Sequence, residues 1–254
     1  MTLALMAAMA EELEPLRAAL EDPQVQHHAG REFHTGRLDG QDVVLVLSRI
    51  GKVAAATTAA LLIERYGAEA IVFTGVAGGL AEGVSVGDVV VARELLQHDL
   101  DVSPLFPRHE VPLTGRSHFP TDALLSDALL AAARAALQAE QIGRADSLDG
   151  LGIAAPTVHQ GLVVSGDRFV STALESAALR AELPEALAVE MEGAAVAQVC
   201  HDCDLPFAVL RSISDRADDS AHVDFSRFVR EVAGPLSATI VRCWLRNGAS
   251  AAPA

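Results

Sequence analysis

Ala186-Leu187-Ala188-Val189-Glu190-Met191-Glu192-Gly193-Ala194-Ala195-Val196-Ala197 runs from a short apolar strand into an apolar helix, with two carboxylates at the junction. Strand followed at once by helix is the repeating unit of wound α/β sheets. An ionised carboxylate at the end of a buried strand is costly unless something compensates it. Ligands of open α/β sheets gather at the carboxyl ends of strands, so the pair marks a ligand edge. Two acids there suit a sugar's hydroxyls and oppose a phosphate.

The same alternation extends in both directions. Short apolar runs at 3–9, 43–48, 71–74, 89–92, 161–164, 187–189 and 207–212 read as buried strands. Residues 31–39 pair with the second of these as a hairpin around Asp39-Gly40. Helical periodicity is clearest at 52–66, with Gly67 as its C-terminal stop, and at 122–141, 193–201 and 225–246. Residues 99–120 and 144–156 read as loops, the first long enough to be functional, and 247–254 as a disordered tail. The pattern predicts one α/β domain over residues 1–246.

Composition narrows the function classes. The chain has 254 residues, half of them apolar, and a formal net charge of −15 without a basic cluster. That balance argues against nucleic acid or an anionic membrane as partner. The apolar start is broken by Glu11 and Glu12, lacks a basic flank and is too short for a signal peptide or a span, so a cytoplasmic location is expected. Cys200, Cys203 and Cys243 are too few for a disulfide framework, and the single Cys200-His201-Asp202-Cys203 match has no second pair, so it reads as structural. No metal or cofactor is expected.

Several segments can carry chemistry. Thr74-Gly75-Val76-Ala77-Gly78-Gly79 follows a strand, and its glycines would let a ligand approach the backbone or would simply make a tight turn. The spacing fits neither a dinucleotide fingerprint nor a P-loop. Arg211-Ser212-Ile213-Ser214-Asp215 ends another strand, where Asp215 is either a proton donor or a helix cap. Glu11 and Glu12 follow the first strand and can be ordinary first-turn acids. Together, Glu12, Glu192 and Asp215 come from separate strand ends that converge on one edge, where like charges push one pKa upward. An acid and a base so separated suit hydrolysis of a glycosidic bond.

These residues resemble the 5′-methylthioadenosine/S-adenosylhomocysteine nucleosidases of the purine nucleoside phosphorylase fold. The resemblance rests on Ala8-Met9-Ala10-Glu11-Glu12, Ile50-Gly51-Lys52-Val53, Gly75-Val76-Ala77-Gly78-Gly79 with Val86-Gly87-Asp88, and His98-Asp99-Leu100-Asp101-Val102. It continues through Val164-Ser165-Gly166-Asp167-Arg168-Phe169, Val189-Glu190-Met191-Glu192-Gly193 and Ser212-Ile213-Ser214-Asp215. It implies a single-domain three-layer α/β/α fold with a central mixed twisted sheet.

The resemblance also implies roles. Asp215 would protonate adenine N7, Glu12 would activate water, and Arg211 would orient that water. Glu192, ionised, would accept the ribose hydroxyls above Met191, while Glu190 would be a structural acid. Phe169 would stack on adenine and Val170 would read its edge. Met9, Ile50, Val76, Ala77, Gly78, Ser214 and Phe225 would complete the substrate contacts. Val76 stands where many members have Ser, removing a hydroxyl. The loop after Val102 would reach the neighbouring subunit's 5′ pocket through Val102, Leu105, Phe106 or Pro112, which makes a homodimer. The implied reaction releases adenine from 5′-methylthioadenosine, S-adenosylhomocysteine and 5′-deoxyadenosine in methionine salvage and S-adenosylmethionine recycling. Alternatives are action on aminodeoxyfutalosine in menaquinone synthesis, a phosphorylase on the same fold, and a silent nucleoside-binding protein.

Overall fold

The computed structural model describes residues 2–140, 153, 156–217 and 225–247. Its centre is β1 (Leu3–Ala7), in which every residue is buried. Leu3 and Leu5 face one apolar cluster while Ala4 and Met6 face another, as the two-residue period of a strand demands. A strand covered on both faces reads as a continuous apolar run, which is why this one was legible.

β1 pairs in parallel with β4 (Gln41–Leu47) and β5 (Ala70–Gly79). Beyond β4 lie antiparallel β3 (Arg31–Leu38) and then β2 (Glu21–His28) at the edge. On its other side β5 pairs in parallel with β10 (Phe207–Asp215), and β10 pairs antiparallel with β6 (Val89–Gln97). β6 continues in parallel to β8 (Val158–Ser165) and β8 to β9 (Ala186–Glu190). β9 then returns to the end of β5, through Val189 opposite Gly78 and Ala188 opposite Gly79. The mixed sheet therefore closes on itself through β5, β10, β6, β8 and β9, and the other strands leave β5 as an open wing. β7 (His118–Pro120) adds to β6.

Helices cover both faces. α1 (Ala10–Ala18), α3 (Ala123–Glu140) and the C-terminal α7 (Gly234–Arg246) bury Leu16, Leu129 and Trp244 in the cluster that holds Leu3 and Leu5. α2 (Lys52–Tyr66) and α5 (Gly193–Asp202) bury Leu62, Ala197 and Cys200 in the cluster that holds Met6. α4 (Ala173–Glu182) covers β8 with Leu179. The result is the expected three-layer α/β/α architecture.

The structure corrects or completes the sequence reading at five points. The glycine segment at 75–79 is no turn: it remains strand to Gly79, paired with β10 and β9. β2 went unread because Glu-Asp-Pro-Gln-Val-Gln-His-His is polar and almost wholly exposed, a pattern open only to an edge strand. α4 was also missed, although Thr172 is a favourable N-cap: its hydroxyl accepts the Glu175 N–H at 3.2 Å and donates to the Glu175 carboxylate at 2.9 Å. The helix expected over 225–246 is divided into α6 (Phe225–Phe228), a π-helical turn (Val229–Ala233) and α7. Pro235 has no N–H to continue the ladder, and the wider turn precedes it. The long loop at 99–120 ends in β7 and holds a bridge between Val111 and Arg116. Except for Ile153, Pro156 and Asn247, the loop at 144–156 and the tail at 247–254 lie outside the described residues.

Phe33 of β3 is fully buried and stacks on Tyr66 at the end of α2, ring centroids 4.3 Å apart. Phe33→Ala is expected to lower stability by about 3–5 kcal/mol in urea unfolding, with the closed part of the sheet, and so the site, left intact.

Candidate active site

A cavity of about 270 Å³ opens where β1, β5, β9 and β10 end. Every residue of this chain named above as a catalytic or substrate contact lines it, from Met9 and Glu12 through Gly78 to Phe169, Glu192 and Asp215. Val102, Leu105, Phe106 and Pro112 do not. Ala8, Thr74, Gly75, Arg168, Val189 and Glu190 also line it; none of the six was named as a substrate contact, although the acid pair at 190 and 192 and the glycine segment had been marked for a ligand.

Glu12 is the third residue of α1, and its position serves two purposes. Its Oε2 accepts the N–H groups of Ala8 and Met9 at 3.0 and 2.9 Å, which caps the helix. Its Oε1 accepts the Val76 N–H at 3.0 Å, which ties the helix start to β5. The first-turn reading and the functional reading are thus one geometry. Burial raises the Glu12 pKa, against the backbone N–H groups of Met9, Val76 and Ala8 and the nearby Arg211 charge. Position 76 contributes its backbone here, and the Val76 side chain packs against the cluster that holds Phe228 and Val232.

Glu190 is the hub of the buried end. Its Oε2 accepts from Arg211 Nε at 3.2 Å and Nη2 at 2.7 Å, and its carboxylate takes the N–H groups of Glu192 and Gly193. Ser165 donates its hydroxyl to Glu190 and accepts the Ala194 N–H at 2.7 Å. Arg211 is 1% exposed, gives Nη1 to the carbonyls of Phe73 and Leu210 at 3.0 Å, and lies 4.2 Å from the Phe73 ring centroid. Glu190 thereby seats the backbone that carries Glu192.

Glu192 sits at the N-cap of α5, and its Oε1 accepts the Gly51 N–H at 2.8 Å. Gly51 reaches that position with a φ of 99°, which strains any residue with a Cβ. Burial, followed by the Glu190 charge, pushes Glu192 up to about 8; Gly51 and Arg211 oppose the shift and Glu12 adds to it. That direction works against the ionised form expected for a ribose clamp, and the hydroxyl donors of a sugar would work for it.

Asp215 is the last residue of β10 and lines the cavity. Its Oδ1 accepts the Ala217 N–H at 2.7 Å and its Oδ2 the Ser214 hydroxyl at 2.7 Å. A Cβ at Gly78 would lie 2.9 Å from Asp215 Oδ1, so glycine is the residue that admits this carboxyl. At the mouth, half-exposed Phe169 meets Phe225 edge-on, centroids 6.4 Å apart. Cys200 is buried in α5, where burial pushes its thiol up, and Cys203 is exposed; neither lines the cavity. Among the described residues, no cluster of three or more His, Cys, Asp or Glu could hold a metal ion.

The chain matches the phosphorylase superfamily over residues 2–245. It is 38% identical over 234 residues to a 5′-methylthioadenosine/S-adenosylhomocysteine nucleosidase of Bacillus thuringiensis, covering 92% of this chain and 94% of that protein. Among solved structures, the nucleosidase of Neisseria meningitidis in complex with methylthio-immucillin-A superposes with a TM-score of 0.85 at 37% identity, covering 97% of this chain and 99% of the other. That of Colwellia psychrerythraea in complex with adenine gives 0.83 at 36% identity, with 96% and 94% covered.

Removing the Glu190 charge should have two separable effects. Glu190→Gln leaves the Arg211 guanidinium buried without its counter-ion and is expected to cost about 3–5 kcal/mol in denaturant unfolding. It also removes a repulsion from Glu192, whose titration midpoint, followed by carboxyl ¹³C NMR, should move down from about 8.

Proposed function

The chain belongs to the phosphorylase superfamily and, within it, to the 5′-methylthioadenosine/S-adenosylhomocysteine nucleosidases, and on that premise we propose that it hydrolyses the N-glycosidic bond of those nucleosides. The products are adenine and the 5-substituted ribose, which serves methionine salvage. The observation that carries this reading is the convergence of Glu12, Glu192 and Asp215 from separate elements on one cavity.

The proposed division of labour follows the geometry. Phe169 stacks on the adenine and Val170 meets its edge. Asp215, held by Ser214 and Ala217, gives a proton to N7, so the C1′–N9 electron pair departs on a neutral base. Glu12 accepts the proton of the attacking water as its oxygen bonds to C1′; the remaining N–H of Arg211 Nη2 orients that water. Glu192 accepts the 2′- and 3′-hydroxyls over Met191. Met9, Ile50, Val76, Ala77, Gly78 and Phe225 shape the remaining wall.

Water is favoured over phosphate as nucleophile because the cations at the cavity wall are already engaged. Arg211 is paired with Glu190 and Arg168 with Glu175. No guanidinium fork is left to hold a phosphate among four carboxyl groups, Glu12, Glu190, Glu192 and Asp215.

A homodimer completes the reading. Val53, Leu105, Leu113 and Leu174 are large apolar side chains exposed at 77%, 79%, 90% and 81%. An interface would cover them, and the loop bearing Val102, Leu105, Phe106 and Pro112 would close a partner's 5′ pocket. The three free cysteines suit the reducing cytoplasm. Among the described residues no helix is long and apolar enough to cross a membrane.

Chromatography of reaction mixtures should show adenine released from 5′-methylthioadenosine equally with and without phosphate; strict phosphate dependence would make the protein a phosphorylase. Asp215→Asn should lower kcat by about 10²–10⁴-fold, and near-full turnover would refute the acid assignment. Hydroxyl donors stabilise the ionised form of Glu192 more than the neutral one, so binding should lower its pKa from about 8 and release up to one proton near pH 7. Titration calorimetry in buffers of different ionisation enthalpy reads that release, and KM should fall as pH rises toward 8 in the range where Asp215 keeps its proton.

A further inference from the structure

Lys52, Asp99 and Asp167 lie in separate sequence motifs, and none of them lines the cavity. Yet they form a closed circuit. Lys52 Nζ donates to Asp99 Oδ1 at 2.6 Å, Asp99 Oδ2 accepts the Asp167 N–H at 2.8 Å, and Asp167 Oδ1 accepts the Lys52 N–H at 2.7 Å. Each residue is held by the other two.

What the circuit joins gives it meaning. Asp167 is followed at once by Arg168, Phe169 and Val170, the wall on the base side. Lys52 follows Gly51, whose N–H holds Glu192 on the sugar side. The first amides of α2 are thus shared between a carboxylate of the sugar side and one of the base side, as the positive end of a helix favours. Behind the loop, Gly166 sits against His98: a Cβ at 166 would overlap the His98 ring, so any other residue would have to displace it. Burial opposes the Asp99 charge, but the bonds from Lys52 and the Asp167 N–H outweigh it and hold the carboxyl below its ordinary range.

We propose that Lys52, Asp99 and Asp167 form a buckle that fixes the base-side loop 166–170 relative to the sugar-side carboxylate, making them positioning residues for nucleoside binding. The inference rests on the nucleosidase reading. The buckle touches neither Glu12 nor Asp215, so opening it should loosen the grip on the base and leave the proton transfers in place. Binding and turnover should therefore separate.

The test is Lys52→Met and Asp99→Ala, with kcat and KM measured for 5′-methylthioadenosine and Kd for free adenine by calorimetry. Both variants should raise KM and the adenine Kd by about tenfold, the scale of a lost charge-assisted hydrogen bond, with kcat changed less than about threefold. Lys52→Arg, which can still reach Asp99, should restore most of the affinity. If Asp99→Ala does not fold, Lys52→Gln carries the same expectation with a smaller rise. Unchanged KM and adenine Kd, or a fall in kcat alone, would overturn the buckle. Wild-type protein that binds adenine but releases none from the nucleoside would defeat the nucleosidase reading and leave the adenine comparison to judge the buckle; if it binds no adenine, both fall.

Discussion

The ion pair of Arg211 with Glu190 is the constraint on which the site depends. Both side chains are almost fully withdrawn from water, at 1% and 2% exposed. Neither charge could be kept there alone, since the effective penalty for burying an ion is several kcal/mol even after relaxation. Together, and with the Phe73 and Leu210 carbonyls and the Glu192 and Gly193 amides as further partners, they are compensated. The pair bolts the end of β9 to β10 beneath the cavity, on the strands whose ends carry Glu192 and Asp215.

A cavity with so many carboxyl groups has to distribute its protons. Backbone N–H groups do part of this: Glu12 takes three of them, Glu192 takes one from Gly51, and Asp215 takes one from Ala217. Where burial is deep, such donors few and like charges close, the acid's pKa is pushed up, as at Glu192. In the proposed reading a nucleoside would change the balance, because its ribose hydroxyls would supply donors to Glu192, and substrate binding would then be coupled to proton release.

Much of this was legible in the sequence because it obeys local rules. Strands buried on both faces, such as β1, are continuous apolar runs, and acids directly after them stand out. Glu12, Glu192 and Asp215 were therefore found from position alone, and the resemblance then gave them separate roles. What could not be read depends on distance in the sequence. The partnership of Glu190 with Arg211 joins strands 21 residues apart, and the raised pKa of Glu192 follows from burial that no local pattern records. The glycines at 75–79 left a tight turn and a close approach equally open, because a strand with so few side chains gives no packing signal; Gly78 makes room for Asp215 and Gly75 for Glu12. Edge strand β2 carries no apolar face and gave nothing to read.

The central claim is that the carboxyl groups of one cavity carry different protons when a nucleoside is bound. Neutron diffraction from deuterated crystals with a non-hydrolysable 5′-methylthioadenosine analogue would locate them directly. The account predicts no deuterium on Glu192, both ribose hydroxyl deuterons pointing at its oxygens, and a deuteron between Asp215 and N7 of the base. A deuterated Glu192 carboxyl in that complex, or an Asp215 carboxylate with no deuteron shared with the base, would contradict it.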